Sequence, residues 1–552
     1  MKIEYHCLEA YEKNLKQAAL ELKEKSIVKR ILKKDYSVWK NRNEEISSRL
    51  GWLDTPIRMK AFIQEYHHLA ETVKKSGIKK IVLLGMGGSS LAPETLSEIL
   101  TRKEEYPRLI VLDSTCPTVV SQVAETTKSE ASLFLVSSKS GITVETLSLL
   151  NYFYHQQKEI HGNRAGQYFM AITDPGTPLE KLASELGFRM IVQGFPDVGG
   201  RFSALSPFGL FPAALIGIDL EKLLLSADET ILEFRTELDD HPGVKLGLTL
   251  GCLNSLGMDK VTLLLPPSLK SLGRWLEQLA AESTGKEGRG ILPVIESLPH
   301  PEEAYGQDRI FVLYNPVKNQ DIFWQKNLER FTSLNHPLIH FSFTPEEISG
   351  HFFTWELAIA VAGYFLKINP FDQPDVELTK KKTRELLKKP QDELSPGIFL
   401  DQDSEGFSGE FESFLLRKNH KTEYIAVLAF LPQHDNLEVA LDNLCRQLAE
   451  KTKLPCVWNY GPAYLHSTGQ LHKGDAGNGK YLGLLFQQEK QLPIPSLPGS
   501  PAPAFSFNQL FEAQALADFE ALKEKGRRLL PVRINERPVE EIFRLGELVR
   551  NM

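Results

Sequence analysis

From Lys79 onward, short apolar runs alternate with amphipathic stretches: IVLLG (81–85), LIVLD (109–113), LFLVSS (133–138) and YFMAIT (168–173). Runs of four to six apolar residues separated by helical-period segments predict βαβ units and a parallel sheet covered on both faces. A second series follows, VTLLLP (261–266), IFVLYN (310–315) and LIHFSF (338–343). A third contains YIAVLAFL (424–431), LPCVWNY (454–460) and YLGLLF (481–486). Residues 1 to about 75 carry apolar positions at helical spacing, interrupted by GWLDTP, and predict a helical lead-in. The stretch KKPQDELSPG marks a boundary near residue 390. The predicted partition is therefore 1–75 helical, 76–225 and 226–390 two doubly wound α/β domains, and 391–552 a smaller α/β extension.

Three segments need separate comment. FSALSPFGLFPAALIGI, between Arg201 and Asp219, has no charge over 17 residues, but it is shorter than the roughly 20 that a membrane helix needs and holds two prolines. It reads as buried core. LPIPSLPGSPAP (492–503) favours a semi-extended surface connector. The cluster Lys380, Lys381, Lys382 and Arg384 reads as a solvated helix face.

Composition narrows the class. Of 552 residues, 42% are hydrophobic and 24% charged, which fits a folded globular chain of about three units. The formal net charge of −7 gives no general attraction to nucleic acid or to an anionic membrane, so a bound anion must be held by local geometry. The five cysteines, at 7, 116, 252, 445 and 456, lack metal-like or framework spacing and predict reduced thiols. Charges recur from Glu4 onward, so no signal-peptide core is predicted.

The chemistry concentrates in four motifs. IVLLGMGGSSLAPETL runs from strand through a glycine-rich turn into a helix, where Gly85, Gly87 and Gly88 admit close approach, Ser89 and Ser90 donate hydroxyls, and the helix start offers free N–H groups. A dinucleotide fingerprint would need glycine at Ser90, and a Walker loop would need Gly-Lys-Ser/Thr, so both nucleotide readings weaken. LFLVSSKSGITVETLSLL repeats the design with Ser138, Lys139, Ser140 and Thr143, and two such loops at neighbouring strand ends suit one phosphate. DVGGRFSALSPFG places Arg201 at the edge of apolar core, where an arginine calls for an anionic partner or ligand. In RWLEQLAAESTGKEGRG, Gln278 and Glu282 are four apart and share one helix face, with Glu282 a candidate base beside a helix stop at Ser283, Thr284 and Gly285.

Together with GYFLKINPFDQPDVELTK, these motifs resemble, in order, the phosphoglucose isomerase family of the sugar-isomerase (SIS) fold. GWLDTP and YLHSTGQLHKG are most similar to the isomerase half of bacterial transaldolase/isomerase fusions, although a transaldolase barrel of roughly 250 residues does not fit before residue 79. The resemblance implies two SIS-type domains plus the C-terminal extension. It assigns Gly87, Gly88, Ser89, Ser138, Lys139, Ser140 and Thr143 to the sugar phosphate, and Gln278 to the substrate-facing side of its helix. Arg201 would stabilise an enediolate, Glu282 would be the base, and Lys380 would lie near the ring oxygen.

Asp375 stands where the family usually has glycine, and Phe365 replaces a smaller aliphatic residue. The family's G-Q-H motif for ring opening is missing, which leaves His300, His336, His351, His466 and His472 as candidates; His472 in QLHKG is favoured.

The implied activity is reversible aldose–ketose isomerisation of glucose 6-phosphate and fructose 6-phosphate through an enediol(ate), in glycolysis and gluconeogenesis. The resemblance implies no cofactor, no metal, and a cytoplasmic homodimer. Neither a nucleic-acid nor a membrane partner is expected. The alternative is a non-catalytic sugar-phosphate sensor on the same fold. Capture of a dianion against a net charge of −7 would fall to Lys139, Arg201 and Lys380.

Overall fold

The computed structural model describes residues 1–316, 322–389, 394, 399–417, 423–487, 491–500 and 502–552. Most of KKPQDELSPG and Pro501 fall outside these residues. The described chain is mixed α/β with three five-stranded sheets. The first orders its strands Arg108–Leu112, Lys80–Gly85, Ser132–Ser137, Phe169–Thr173 and Met190–Gln193, all parallel. Every residue of Lys80–Gly85 and Ser132–Ser137 is buried, as unbroken apolar runs require of strands covered on both faces.

The second sheet runs Lys2–His6, Leu338–Phe343, Arg309–Pro316, Lys260–Leu264 and Leu292–Glu296. Its first member corrects the all-helical reading of the N-terminus: Lys2–His6 pairs antiparallel with Leu338–Phe343. A lone five-residue strand followed by long helical periodicity has no local signal strong enough to separate it from that helix. Beyond it the lead-in is helical, with Glu12–Glu24 and Ile63–Lys75 the longest helices before residue 80.

The third sheet orders Leu400–Asp401, Arg528–Ile534, Gly479–Phe486, Tyr424–Phe430 and Cys456–Tyr460, again all parallel. The C-terminal part therefore has the same five-stranded layout as its predecessors. Each sheet repeats one arrangement: Lys80–Gly85, Lys260–Leu264 and Tyr424–Phe430 each lie second from an edge, the next strand in the chain forms that edge, and the one after it pairs on the other side. A buried lysine sits at or next to the start of a central strand in every case, namely Lys80 at 2%, Lys260 at 0% and Lys480 at 1% exposure. Each has a carboxylate within ion-pair distance: Glu130, Asp259 and Glu423. Strand initiation thus carries a neutralised charge rather than a bare one.

The uncharged run is core as predicted; the helix Pro207–Leu215 is buried at all nine positions. In the proline-rich segment the backbone is extended but paired, since Pro493–Pro495 and Pro503–Ser506 form a short antiparallel ladder, and Asn151 donates to the Pro495 carbonyl at 3.0 Å.

Candidate active site

In the first sheet, the chain leaves Lys80–Gly85 toward one edge and returns to Ser132–Ser137 on the other side, so a crevice opens between Gly85 and Ser137, which pair directly. Such reversal points are where parallel sheets bind ligands. Both glycine- and hydroxyl-rich loops begin there. In the second loop, Ser138 donates to Thr143 Oγ1 at 3.0 Å and accepts from the Gly141 N–H at 3.2 Å. Thr143 is the N-cap of the 18-residue helix Val144–His161 but does not cap it with its side chain, so the first N–H groups remain available to an anion. Ser140 is exposed, and its oxygen accepts from the Ile142 N–H at 3.5 Å.

Gly87 and Gly88 are where the glycine-rich turn meets the rest of the site. Gly87 has φ +53°, and a Cβ there would lie 2.8 Å from Gln278 Nε2 and 2.9 Å from the His466 carbonyl oxygen. At Gly88 a Cβ would fall 2.0 Å from the Gly200 carbonyl oxygen, so the two glycine loops interlock. The loop before Arg201 is held from behind by the GWLDTP segment and the residues just after it: Gly51 N–H donates to the Asp197 carbonyl at 2.8 Å, and Arg58 Nη1 donates to both Asp197 carboxylate oxygens at 2.8 and 2.9 Å.

Arg201 is 4% exposed and fully engaged. It donates to Ser283 Oγ at 2.8 Å, Gln373 Oε1 at 2.9 Å, and the Pro370 and Asp372 carbonyls at 2.8 Å each. Its Nη1 lies 3.0 Å from Glu282 Oε1. The helix Lys270–Thr284 delivers Glu282 and Gln278 on one face, and Gln278 Nε2 donates to Glu282 Oε2 at 3.0 Å. Both carboxylate oxygens of a buried glutamate are therefore oriented by fixed donors. Lys286, not singled out by sequence, lies 2.7 Å from Asp372 Oδ1; burial and the nearby Arg201 charge lower its pKa to about 8, against the pull of Asp372.

The C-terminal part completes the group. Gln278 also donates to the His466 carbonyl at 2.8 Å, and His466 Nε2 lies 3.0 Å from Glu145 Oε1. Glu145 sits in the first turn of Val144–His161 and accepts from Gln514 Nε2 at 2.7 Å, while Thr115 donates to Gln514 Oε1 at 2.7 Å. Burial would raise the Glu145 carboxyl, but the His466 charge and hydrogen bond, with smaller help from Lys380, hold it below the usual range. Glu145 lies inside a motif recognised from sequence, yet a glutamate in a helix's first turn reads as ordinary dipole complementation.

Three sequence-assigned residues have surroundings other than those expected, although the Lys380 charge still acts on Glu145. His472 is fully buried against Tyr424, Tyr464 and Tyr481, neither ring nitrogen has a hydrogen-bond partner, and burial pushes its pKa far down. It packs in the C-terminal core, and the histidine beside Glu145 and Gln278 is His466 of the same HSTGQLHKG segment. The Lys139 ammonium is turned to Asp174 Oδ2 at 2.6 Å and the Phe195 carbonyl at 2.8 Å. Lys380 pairs with Glu377 at 2.7 Å with its side chain 40% exposed. All three cations expected to draw the dianion, Arg201, Lys139 and Lys380, are thus carboxylate-paired. Asp375, at the family's glycine position, accepts from Gln470 Nε2 at 2.8 Å and pairs with Lys525 at 2.6 Å, so it binds the C-terminal part.

Among the described residues, no three or more His, Cys, Asp and Glu side chains are grouped to hold a metal, and no helix is long and apolar enough to cross a membrane.

Residues 53–290 match the phosphoglucose isomerase family model. The glucose-6-phosphate isomerase of Mycoplasmopsis pulmonis is 29% identical, with 62% of this chain and 90% of that protein covered. That of Staphylococcus epidermidis is 28% identical over 62% of this chain and 87% of that protein. Among solved structures, a hypothetical protein from Thermus thermophilus superposes with TM-score 0.60 at 25% identity, covering 70% of this chain and all of that one. A glucose-6-phosphate isomerase from Chlamydia trachomatis gives TM-score 0.55 at 17% identity over 68% of this chain and 86% of that chain, a likeness of fold.

Proposed function

From the premise that residues 53–290 are a phosphoglucose isomerase segment, we propose that the chain interconverts glucose 6-phosphate and fructose 6-phosphate through an enediolate. The observation that carries this reading is Glu282, buried and held between Arg201 at 3.0 Å and Gln278 at 3.0 Å. In this scheme the carboxylate takes the C2 proton, the electron pair moves into the C1–C2 bond and O1 becomes an oxyanion beside Arg201; the hydroxyl proton then passes from O2 to O1, and as C2=O forms the proton held by Glu282 is delivered to C1. Reversal runs the same path. Ring opening needs a group that moves a proton between the anomeric hydroxyl and the ring oxygen; His466, oriented by Glu145, fills that role in our reading. The Ser89 and Ser138–Thr143 loops grip the phosphate, and remote binding of this kind can be used at the reacting carbon.

A non-catalytic sensor would have no use for a buried base with two fixed donors, so the enzymatic reading is preferred. We further propose the four-part division at about residues 75, 225 and 390, a homodimeric assembly, a cytoplasmic location and participation in glycolysis and gluconeogenesis, all resting on the family resemblance. A coupled assay of fructose 6-phosphate conversion tests the activity. Folded protein without turnover overturns it.

A further inference from the structure

A second cavity, of about 300 Å³, lies where the three sheets meet. Its walls come from the carboxyl ends of the three corresponding edge strands: Asp113 follows Arg108–Leu112, Glu296 ends Leu292–Glu296, and Trp458 and Tyr460 end Cys456–Tyr460. Carboxyl ends of parallel strands are the ligand-binding ends, and this volume is at the lower bound of small-molecule sites. Of the residues assigned above to the sugar-phosphate cleft, Gly87 alone also lines this cavity.

The charge of the lining is lopsided. Six carboxylates face three permanent cations. Two of those cations are already matched, Lys270 to Glu438 at 2.6 Å and Arg274 to Glu94 at 3.4 Å. Glu277, 4% exposed, accepts one hydrogen bond, from Asn459 Nδ2 at 2.8 Å, and has no cation at ion-pair distance among the described residues; burial raises its pKa to about 7, against the pull of Asn459 and the more distant Arg274. Asp113 is held up by burial in the same way. Glu296, 5% exposed, gives Oε2 to the Tyr305 hydroxyl at 2.7 Å but has no hydrogen bond at Oε1, where Arg309 and His300 stay at 3.6 and 3.7 Å. Trp458 and Tyr460 stand edge to face at 5.1 Å, with the Lys270 ammonium 5.6 Å over the Trp458 ring, and the remaining ring surface offers an apolar wall to an alkyl chain.

We propose that this cavity binds a small organic amine, its ammonium set against Glu277 and Asp113 and its alkyl part against Trp458 and Tyr460. A phosphate would meet an excess of carboxylates there, and a bare metal ion would leave most of the volume and both rings unused. Isothermal titration of the full chain with 1,4-diaminobutane and spermidine, with 1,4-butanediol and Mg²⁺ as comparisons and with saturating fructose 6-phosphate present, tests this. Saturable amine binding is expected, with no measurable binding of the diol, no displacement by the sugar phosphate, and at least tenfold weakening in both Glu277→Gln and Trp458→Leu. The proposal is overturned if neither amine binds, if the diol binds as well, if Mg²⁺ binds in preference, if the sugar phosphate displaces the amine, or if both folded variants keep wild-type affinity. Circular dichroism of each variant separates loss of the site from loss of the fold.

Discussion

His466 and Glu145, 321 residues apart, meet at 3.0 Å between Nε2 and Oε1. The carboxylate comes from the phosphate-side helix and the imidazole from the C-terminal part. Neither half of the chain contains the pair by itself. A carboxylate on one ring nitrogen fixes the ring's orientation and strengthens the base at the other.

In the proposed scheme that pairing serves ring opening, apart from proton transfer at carbon. Erythrose 4-phosphate cannot close a ring because its 4-hydroxyl is esterified. For His466→Asn and Glu145→Gln we expect turnover of glucose 6-phosphate to fall by about 10² to 10⁴, with much smaller losses on the acyclic tetrose phosphate. Equal losses on both substrates would remove His466 from ring opening.

Glu282→Gln should lower kcat by about 10² to 10⁴ with little change in KM, because the amide keeps the size of the side chain and one acceptor oxygen but cannot accept the proton. Arg201→Lys should cost about 10² to 10³, since an ammonium cannot reproduce a fork that serves Ser283, Gln373, two carbonyls and Glu282 together. Steady-state kinetics on both variants, with proton exchange at C2 followed by NMR, checks the assignments.

Gly285 ends the Glu282 helix at φ −75°, where alanine is conformationally free, but a Cβ there would sit 2.2 Å from Leu471 Cα. Gly285→Ala should therefore push away the short helix Gly469–Gly474, and with it His466, while leaving the first two sheets intact. A tenfold or greater loss on glucose 6-phosphate, spared on erythrose 4-phosphate, is expected. Unchanged kinetics would show that the C-terminal docking tolerates displacement.

Lys286 makes stability pH-dependent in a defined direction. Its folded pKa is about 8 against 10.5 in an unfolded chain, so between those values the unfolded state binds more protons and stability rises with pH. The gain is at most about 3 kcal/mol. Urea midpoints between pH 7.5 and 10.5 should rise more steeply for wild type than for Lys286→Met. Parallel curves would contradict the assignment.

Prolonged EDTA treatment should leave activity intact, because Glu282 is held by Arg201 and Gln278 and our scheme puts the developing charge beside Arg201. Loss of turnover that Mg²⁺ or Zn²⁺ restores would sink that expectation.

The apolar runs from 81 to 173 became strands of one parallel sheet, since continuous burial on both faces is legible in a run of four to six residues. The i, i+4 spacing of Gln278 and Glu282 predicted a shared helix face, and they hydrogen-bond at 3.0 Å. Arg201, alone at the edge of an uncharged stretch, is paired with Glu282. Strands such as Lys2–His6 and Arg528–Ile534 escaped because charged residues interrupt them and only their neighbours hold them in a sheet.

Local pattern in the sequence determined the parallel α/β architecture and the Arg201, Gln278 and Glu282 cluster, because secondary-structure period and one helical turn are short-range properties. Tertiary structure decided what depends on distant partners. It set His466 rather than His472 beside Glu145 and Gln278, turned Lys139 to Asp174 and gave Asp375 to Gln470 and Lys525. The physical reason is the same in each case: a side chain's surroundings follow from which groups neutralise or desolvate it, and the polar partners of Lys139 and His466 lie 35 and 321 residues away in the chain.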